Sequence, residues 1–487
     1  MDGSRLFLFG QSVSLLGDGL ALLAIPLLVL QLTGSPVVSA LAVAPRAIGY
    51  LIAGLPAGPL VDRADPWRVL IAADTVRMTV FLLLALALAV GRCPVAVILC
   101  LACVAGVAGV FFETALAVAV RDVCTGPRLI RANGFLETSG QLAFVAGPAA
   151  VGVLVAAAGQ EATLLANAGT FAVSLVTVSR TNRWLSAADF TGAATTVVAK
   201  RPAPHGTGVS GSVVSEFWSG LRYLITSPVV SGITLLQAVT NLGVGAETLI
   251  PFFACERLGA SAALVGLVVA GGGIGGALGA LIAAATGPRM APIPMCLTGL
   301  LLMAVGLALV GLAPGVLWLA VANALLVGAS MVVVVVVRTL RQQVVPRALL
   351  GRVTSTARSL VLTATVAGTM LTGLLTRQCG GNPRPVFIGA GVFVVMSTAL
   401  VRVGVLGPAA RQSAQSAHRT RFLARIAVCP QLPGLRHRRE QLGDSRYRWS
   451  GTQRTAGIIR ECGAHGVERG CSDGLSPRSL PGGDRGA

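Results

Sequence analysis

The amino-acid sequence predicts an all-α integral membrane protein with twelve transmembrane helices in two six-helix halves. Hydrophobic residues make up 54% of the 487 residues and charged residues only 12%, whereas soluble proteins carry about 25% charged residues. Long apolar runs recur twelve times, six before and six after a polar stretch. An α-helix needs roughly 20 such residues to cross a hydrocarbon core of about 30 Å. These three observations predict the fold class.

Six apolar runs form the predicted N-terminal half, residues 1–180. The first run is full-length and lacks the small-residue cleavage pattern of a secretory signal, so we expect it to be retained as the first helix. Gly58 and Pro59 end the second run, and Pro66 prevents the helix from continuing before the third run. The predicted spans are 6–30, 37–61, 69–91, 94–120, 134–158 and 162–180.

A polar segment, residues 181–228, is predicted to link the two halves. It ends in the amphipathic stretch VVSEFWSGLRYL at 213–224, which is typical of a helix lying in the membrane interface. The C-terminal six-helix half, residues 229–405, follows the linker. Its predicted spans are 229–254, 260–286, 291–313, 316–337, 354–376 and 384–405.

The last segment, residues 406–487, has a different composition. From residue 408 onward fourteen arginines face six acidic residues, and no apolar run is long enough to span. We expect a disordered cytoplasmic tail. A second interpretation is that the tail contacts anionic lipid headgroups. A third is that these residues are translated from sequence beyond an ancestral stop codon and are under little selection. The sequence leaves the three open.

Positive charge in the loops predicts the orientation of the chain in the membrane. Sixteen arginines and lysines lie near the span ends on one side and four on the other, which places both termini in the cytoplasm. Lys200 is the only lysine, so almost every basic residue is arginine, a bias that is typical of a GC-rich bacterial genome. We therefore expect a multi-pass protein of the bacterial inner (plasma) membrane. The net charge of +19 is spread over loops and tail rather than one basic face, so no nucleic-acid partner is expected.

The stretch GPLVDRADPWRVL at 58–70 concentrates charge between the second and third spans. It resembles the signature G-x-L-x-D-R-x-x-R-R of the major facilitator superfamily. Pro66 and Trp67 depart from that signature, while the matching positions are Gly58, Leu60, Asp62, Arg63 and Arg68. The sequence is similar in particular to the macrolide-efflux-like and enterobactin-exporter-like branch, through segments 12–29, 128–154 and 351–358. The resemblance covers roughly residues 5–405 and implies the major facilitator fold.

The resemblance also implies a role for this loop. Asp62 is expected to dock across the interface between the halves, near Thr354, Ser355 and Thr356 at the start of the eleventh helix, as a conformational latch. The partial positive charge and unpaired N–H groups of a helix N-terminus suit a carboxylate. The supporting latch residues are expected to be Gly58, Arg63 and Arg68, with Asp74 and Arg77 pairing on the third helix. A simpler interpretation is that the arginines are positive-inside anchors.

Polar groups deep in the spans are costly, so each is a candidate for the substrate or proton pathway. Asp18 lies near the middle of the first span, and Arg46 in the second is the expected counter-charge. Glu113 in the fourth span and Glu247 in the seventh are candidate proton carriers, and Asn241 a candidate substrate contact. The alternatives are helix-packing contacts for Asp18 and Asn241 and snorkelling to the interface for Arg46. We expect Asp18, Glu113, Asn241 and Glu247 to line a cavity between the halves.

Several other functions are excluded. Gly271, Gly273 and Gly276 match a dinucleotide fingerprint but lie in an apolar helix with no preceding strand. The sole lysine does not fit a Walker A loop, and all four histidines lie in the linker or tail, so no enzyme, resident cofactor or metal site is expected.

The predicted function is secondary active transport by alternating access. We favour export of a drug or amphipathic secondary metabolite, driven by proton entry, because the resemblance to the macrolide-efflux-like and enterobactin-exporter-like branch implies it. Residues 94–120, the predicted fourth helix, lack the arginine that many proton-coupled exporters of the superfamily carry there. The expected partners are a small amphipathic organic substrate, protons and the lipid bilayer, and the proton-motive force is the expected energy source for a monomer. The alternatives are uptake of a small solute by the same fold, or a non-transporting membrane partner or sensor.

Overall fold

The computed structural model describes residues 3–35, 38–39, 42, 44–91, 94–190 and 213–403. Within these ranges the regular structure is entirely helical. The predicted tail, residues 406–487, and linker residues 191–212 lie outside the described part.

Six helices make up the N-terminal half. They are α1 (Gly3–Thr33), α2 (Ala44–Arg63), α3 (Pro66–Ala89) and α4 (Val95–Val123), followed by Pro127–Phe190, a 64-residue run broken at Gly159. Gly159 has φ 84°, a left-handed conformation that only glycine adopts readily. We call residues 127–158 α5 and residues 160–190 α6. The last helix therefore runs ten residues beyond the predicted end of this half at 180.

The remaining helices follow the linker. They are α7 (Val213–Thr226), α8 (Pro228–Val244), α9 (Ile250–Leu258), α10 (Ala262–Thr286), α11 (Pro292–Gly311), α12 (Val316–Val344), α13 (Leu350–Gln378) and α14 (Arg384–Val401). Helix α7 coincides with the predicted amphipathic stretch. We call residues 228–403 the C-terminal half.

The prediction of a multi-pass all-α membrane protein is confirmed. Among the described residues, ten helical stretches are long and apolar enough to cross a membrane. The stretch Pro127–Ala187, 61 residues long, counts once although it contains both α5 and α6. The count of twelve stays a prediction.

The predicted seventh span is not one continuous helix. Between α8 and α9 the chain forms a 3₁₀ segment, Gly245–Leu249. Pro251 has no N–H to donate to the carbonyl of Glu247, and that carbonyl instead accepts from the N–H of Ile250. The break therefore follows from one proline, and it places Glu247 in a local distortion of the helix.

Small residues let the helices cross closely. A Cβ atom on Gly19 of α1 would lie 2.2 Å from the carbonyl oxygen of Ala143 in α5. One on Gly147 would lie 2.4 Å from the carbonyl carbon of Gly19. Between the halves, a Cβ atom on Gly134 of α5 would lie 2.7 Å from the carbonyl oxygen of Ala280 in α10. Such backbone-to-backbone approach is the usual mode of helix association in a bilayer.

We expect Gly147→Ala to destabilise the N-terminal half. The added methyl group meets the backbone of α1, which cannot rotate away, and overpacking of this kind costs about 1–3 kcal/mol. Gly152→Ala is the matched control, because a Cβ atom on Gly152 in the same helix meets nothing within 4 Å. The measurement is the thermal unfolding temperature of the two variants in detergent. Equal temperatures would contradict the close crossing of α1 and α5.

Candidate functional site

One arginine organises a polar network inside the N-terminal half. The guanidinium of Arg77 in α3 lies between the rings of Phe112 and Phe171, 4.0 and 4.4 Å from their centroids. It donates to Asp74 on the same helix and to Asp18 on α1, the latter at 3.3 Å. The Arg77 side chain is only 3% exposed. The two aromatic rings against its faces and the two carboxylates at its edges hold the guanidinium in one position.

The two carboxylates that share Arg77 differ in environment. Asp74 is fully buried, and its second oxygen accepts from the hydroxyl of Ser174 on α6 at 2.7 Å. The Asp18 side chain is 38% exposed. Asp74 is therefore the buried counter-ion of Arg77, and Asp18 is the carboxylate that solvent reaches.

Asp18 opens into a cavity within the N-terminal half. Its volume is about 110 Å³, enough for several water molecules at roughly 10–15 Å³ of such space each. Asp18, Arg77 and Glu113 supply its charged groups, and most other lining residues are apolar, among them Ile25, Phe81 and Phe171. Asn241 and Glu247 do not line this cavity, in contrast to the sequence-based expectation of one cavity shared by all four polar residues.

Two sequence-based expectations concern the pairing of these charges. Arg46 lies in α2, but its side chain is outside the described part of the chain, so its pairing with Asp18 stays a prediction. Arg77 is a cation of the described part that does pair with Asp18, and the sequence analysis had not paired these two residues. The expected Asp74–Arg77 ion pair is present. It belongs to the Asp18 network rather than to the Asp62 loop, because residues eight and eleven beyond the start of α3 lie well inside the bundle.

Asp62 contacts the other half of the molecule. Its carboxylate accepts from the backbone N–H groups of Gly351 at 2.7 Å and Arg352 at 2.9 Å, and Arg352 Nε lies 3.5 Å from it. These N–H groups belong to the first turn of α13, where a helix has no internal acceptors for them. They lie one turn before the predicted contact region at 354–356.

Two glycines make this approach possible. A Cβ atom on Gly58 would lie 2.2 Å from the hydroxyl of Ser355, and one on Gly351 would lie 2.4 Å from the Asp62 carboxylate. Sequence reasoning named Gly58 but missed Gly351. Arg63, which follows Asp62 in the sequence, and Arg68 are both exposed.

Further contacts join the halves near the same end of the bundle. We call it the arginine-rich end, and it carries the loops at 64–65, 124–126, 287–291 and 345–349. Asp122 of α4, which the sequence reasoning missed, pairs with Arg347 at 2.6 Å and accepts from Trp67 Nε1. Other contacts between the halves include Glu113–Arg358, Glu137–Arg338, Arg121 to the carbonyl of Val345, and Asn133 to Thr339 and Gln342. The halves are thus closed against each other at this end.

A separate polar group lies in the C-terminal half. Asn241 of α8 accepts from the hydroxyl of Thr365 in α13 at 3.1 Å and donates to the carbonyl of Gln237 one turn earlier. Gln237 in turn accepts from Arg341 of α12 at 2.7 Å. Glu247 lies in the 3₁₀ segment and shares no hydrogen bond with these residues among those that the structure describes.

Comparison with known proteins decides the family. The sequence model of the Major Facilitator Superfamily matches residues 7–358. The chain belongs to the Major Facilitator Superfamily. It is therefore a membrane transporter of small molecules rather than an enzyme, and the resemblance inferred from the loop at 58–70 is confirmed.

Within the superfamily, the chain is similar to the multidrug efflux pump Tap. Tap of Mycobacterium tuberculosis is 28% identical over 385 residues, which cover 77% of this chain and 87% of Tap. Tap of Mycolicibacterium fortuitum is 26% identical over 412 residues, covering 82% of this chain and 94% of Tap.

Solved structures of the superfamily share the fold. A bacterial homologue of the iron transporter ferroportin in an outward-facing state has a TM-score of 0.65 at 16% identity, covering 83% of this chain and 100% of that one. The Escherichia coli fucose:proton symporter FucP has a TM-score of 0.63 at 13% identity, with coverage of 82% and 98%. At these identities the likeness concerns the fold alone.

Proposed function

We propose that this protein exports an amphipathic organic solute, a drug or secondary metabolite, in exchange for protons that enter through Asp18. The observation that carries the proposal is the shared guanidinium of Arg77. Asp18 is exposed to a cavity, whereas Asp74 holds the same arginine from a fully buried position. A proton taken up by Asp18 therefore leaves Arg77 with a counter-ion, which avoids the high cost of a buried unpaired cation.

The direction of transport is proposed from orientation and from similarity. The positive-inside bias of the loops puts the arginine-rich end in the cytoplasm. Because that end is closed, we interpret the conformation as the outward-facing state of a proposed alternating-access cycle, in which the halves rock about a site in the middle of the membrane. Similarity to the multidrug efflux pump Tap supports export. The mainly apolar lining of the cavity suits an amphipathic solute.

The test uses everted membrane vesicles that contain the protein and have an acidic interior. We expect amphipathic dyes and antibiotics from a broad panel to accumulate inside, and each addition of a transported compound to release protons from the interior. An uncoupler abolishes both signals, and vesicles without the protein are the control. No accumulation and no proton movement for any compound, with folded protein present, would contradict proton-coupled export.

The same vesicles distinguish the alternatives. Loss of preloaded dye under the same gradient, rather than accumulation, indicates proton-coupled uptake in the cell. A truncated chain that ends at residue 407 separates a transporter from a tail-dependent partner or sensor. We expect the truncated exporter to keep its flux, because the polar groups invoked above all lie in α1 to α13.

A further inference from the structure

Among the residues that the structure describes, one buried cation of the C-terminal half pairs with no acidic side chain. Arg341 of α12 is 5% exposed, and no carboxylate of the described residues pairs with it. Its side chain donates one hydrogen bond, from Nη2 to the amide oxygen of Gln237, and its Nε has no hydrogen-bond partner. A buried guanidinium without a counter-ion is costly in a membrane protein and marks a functional group by default.

The charges around Arg341 make the position more costly. Its charged neighbours include Arg338 and Arg358, which are both positive. Each of these has its own carboxylate from the N-terminal half, at 3.1 Å in Glu137–Arg338 and 2.6 Å in Glu113–Arg358. Those two carboxylates are therefore engaged, and Arg341 is attractive to a further negative group.

A polar row leads from Arg341 along α8. Gln237 is half-buried, and its carbonyl accepts from the side chain of Asn241. Asn241, also half-buried, contacts Thr365 of α13. A ligand held at Arg341 would find amide and hydroxyl groups along this row and the apolar walls of the helices beside it. That combination fits an amphipathic molecule with an acidic end.

We propose that Arg341 and Gln237 form an anion subsite that receives a carboxylate, or a similarly charged acidic group, of the transported solute. The proposal rests on the proposed function, since it adds a substrate class to it. Arg341 binds the acidic group through Nε and the guanidinium edge, and Gln237 orients the guanidinium through its remaining hydrogen bond. The solute that fits is a zwitterionic or anionic amphipath, and a purely cationic compound leaves the subsite unfilled.

The test compares two dyes that differ only in this group. Tetramethylrhodamine has a free carboxylate, and its methyl ester does not. Binding of each to the purified full-length protein in detergent is measured by fluorescence anisotropy. We expect the wild type to bind the acid about tenfold or more tightly than the ester, the usual scale of a hydrogen bond to a charged group. Arg341→Gln loses this preference and keeps its affinity for the ester, which also shows that the variant is folded.

Two further variants complete the design. Arg341→Lys retains the charge and is expected to keep part of the preference, whereas Arg257→Gln, an exposed arginine at the end of α9, leaves it unchanged. Equal binding of both dyes by the wild type, binding of neither, or an equal loss of both in Arg341→Gln would overturn the subsite. In that case, energised export of a cationic dye in the vesicle test would still support proton-coupled export. Acid-selective binding without energised flux would keep the subsite and remove proton-coupled export.

Discussion

Replacing Asp18 by asparagine is expected to abolish proton-coupled transport while leaving the protein folded. Asparagine retains the shape and a hydrogen-bond acceptor for Arg77 but cannot exchange a proton. Because Asp74 remains paired with Arg77, the substitution leaves no unpaired cation in the bundle. A coupled site typically changes ligand affinity about 5- to 150-fold between its two states. In Asp18→Asn we expect the pH dependence of dye affinity to disappear and the pH-driven flux to fall to the background.

The measurement combines two readouts. Dye binding to the purified protein is titrated at several pH values, and dye-induced proton release is followed in everted vesicles. Glu161→Gln is the matched control, because Glu161 is an exposed acid in α6 outside the Arg77 network, and it is expected to behave as the wild type. Undiminished proton release in Asp18→Asn would show that another group carries the proton, and Glu247 would be the next candidate.

Replacing Asp62 by asparagine is expected to open the arginine-rich end. The Asp62 side chain is 2% exposed and accepts from two backbone N–H groups at the start of α13. Asparagine removes the charge and replaces one carboxylate oxygen with an NH2 group. That NH2 group then faces a backbone N–H, and two donors cannot form a hydrogen bond. Hydrogen bonds to charged groups are worth about 1.5–3 kcal/mol each, so we expect a loss of about 2 kcal/mol, a shift of about thirtyfold towards the open state.

A native thiol reports this opening. Cys124, directly after α4, is 4% exposed and belongs to an apolar cluster that also contains Val345 and Leu350 of the other half. Burial raises the pKa of the Cys124 thiol to about 11, which suppresses the reactive thiolate at neutral pH. Separation of the halves exposes the thiol and lowers its pKa towards the ordinary value. Alkylation at Cys124 is therefore expected to be about tenfold faster or more in Asp62→Asn.

Alkylation is followed in everted vesicles with a charged maleimide and quantified at Cys124 by mass spectrometry. Asp65→Asn, three residues along the same loop, is the matched control. Asp65 caps α3 by accepting from the N–H of Trp67, and asparagine is an equally good cap, so the rate should not change. Identical rates in wild type and Asp62→Asn would show that the Asp62 contact does not hold the halves together.

The two sites are physically connected. Glu113 lines the cavity into which Asp18 opens, and it also pairs with Arg358 of α13 at 2.6 Å. The first turn of the same helix holds Asp62. A solute or proton that alters the Glu113–Arg358 pair therefore acts on the helix whose N-terminus the latch binds. This arrangement gives the proposed export cycle a direct mechanical route between cavity and latch.

The sequence by itself determined the membrane class, the helical content and the superfamily. These properties depend on local features: the length of apolar runs, the prolines that end them and the order of residues in one loop. It also located most of the charged residues that matter, since a charge within an apolar run is conspicuous. Asp18, Asp74, Arg77 and Glu113 were found in this way, and Asp62 was found through the resemblance of its loop to the family signature.

Only the tertiary structure decided how these charges pair. In a membrane helix the lipid-facing and buried faces are both apolar, so hydrophobic periodicity does not reveal which way a side chain points. Arg77, 59 residues away on another helix, pairs with Asp18. The Asp62 carboxylate accepts from the backbone N–H groups of Gly351 and Arg352, one turn before the predicted contact region at 354–356. Arg341 reads in the sequence as one more loop arginine. Its burial with no carboxylate of the described residues beside it, the basis of the proposed anion subsite, follows only from the packing of α8, α12 and α13.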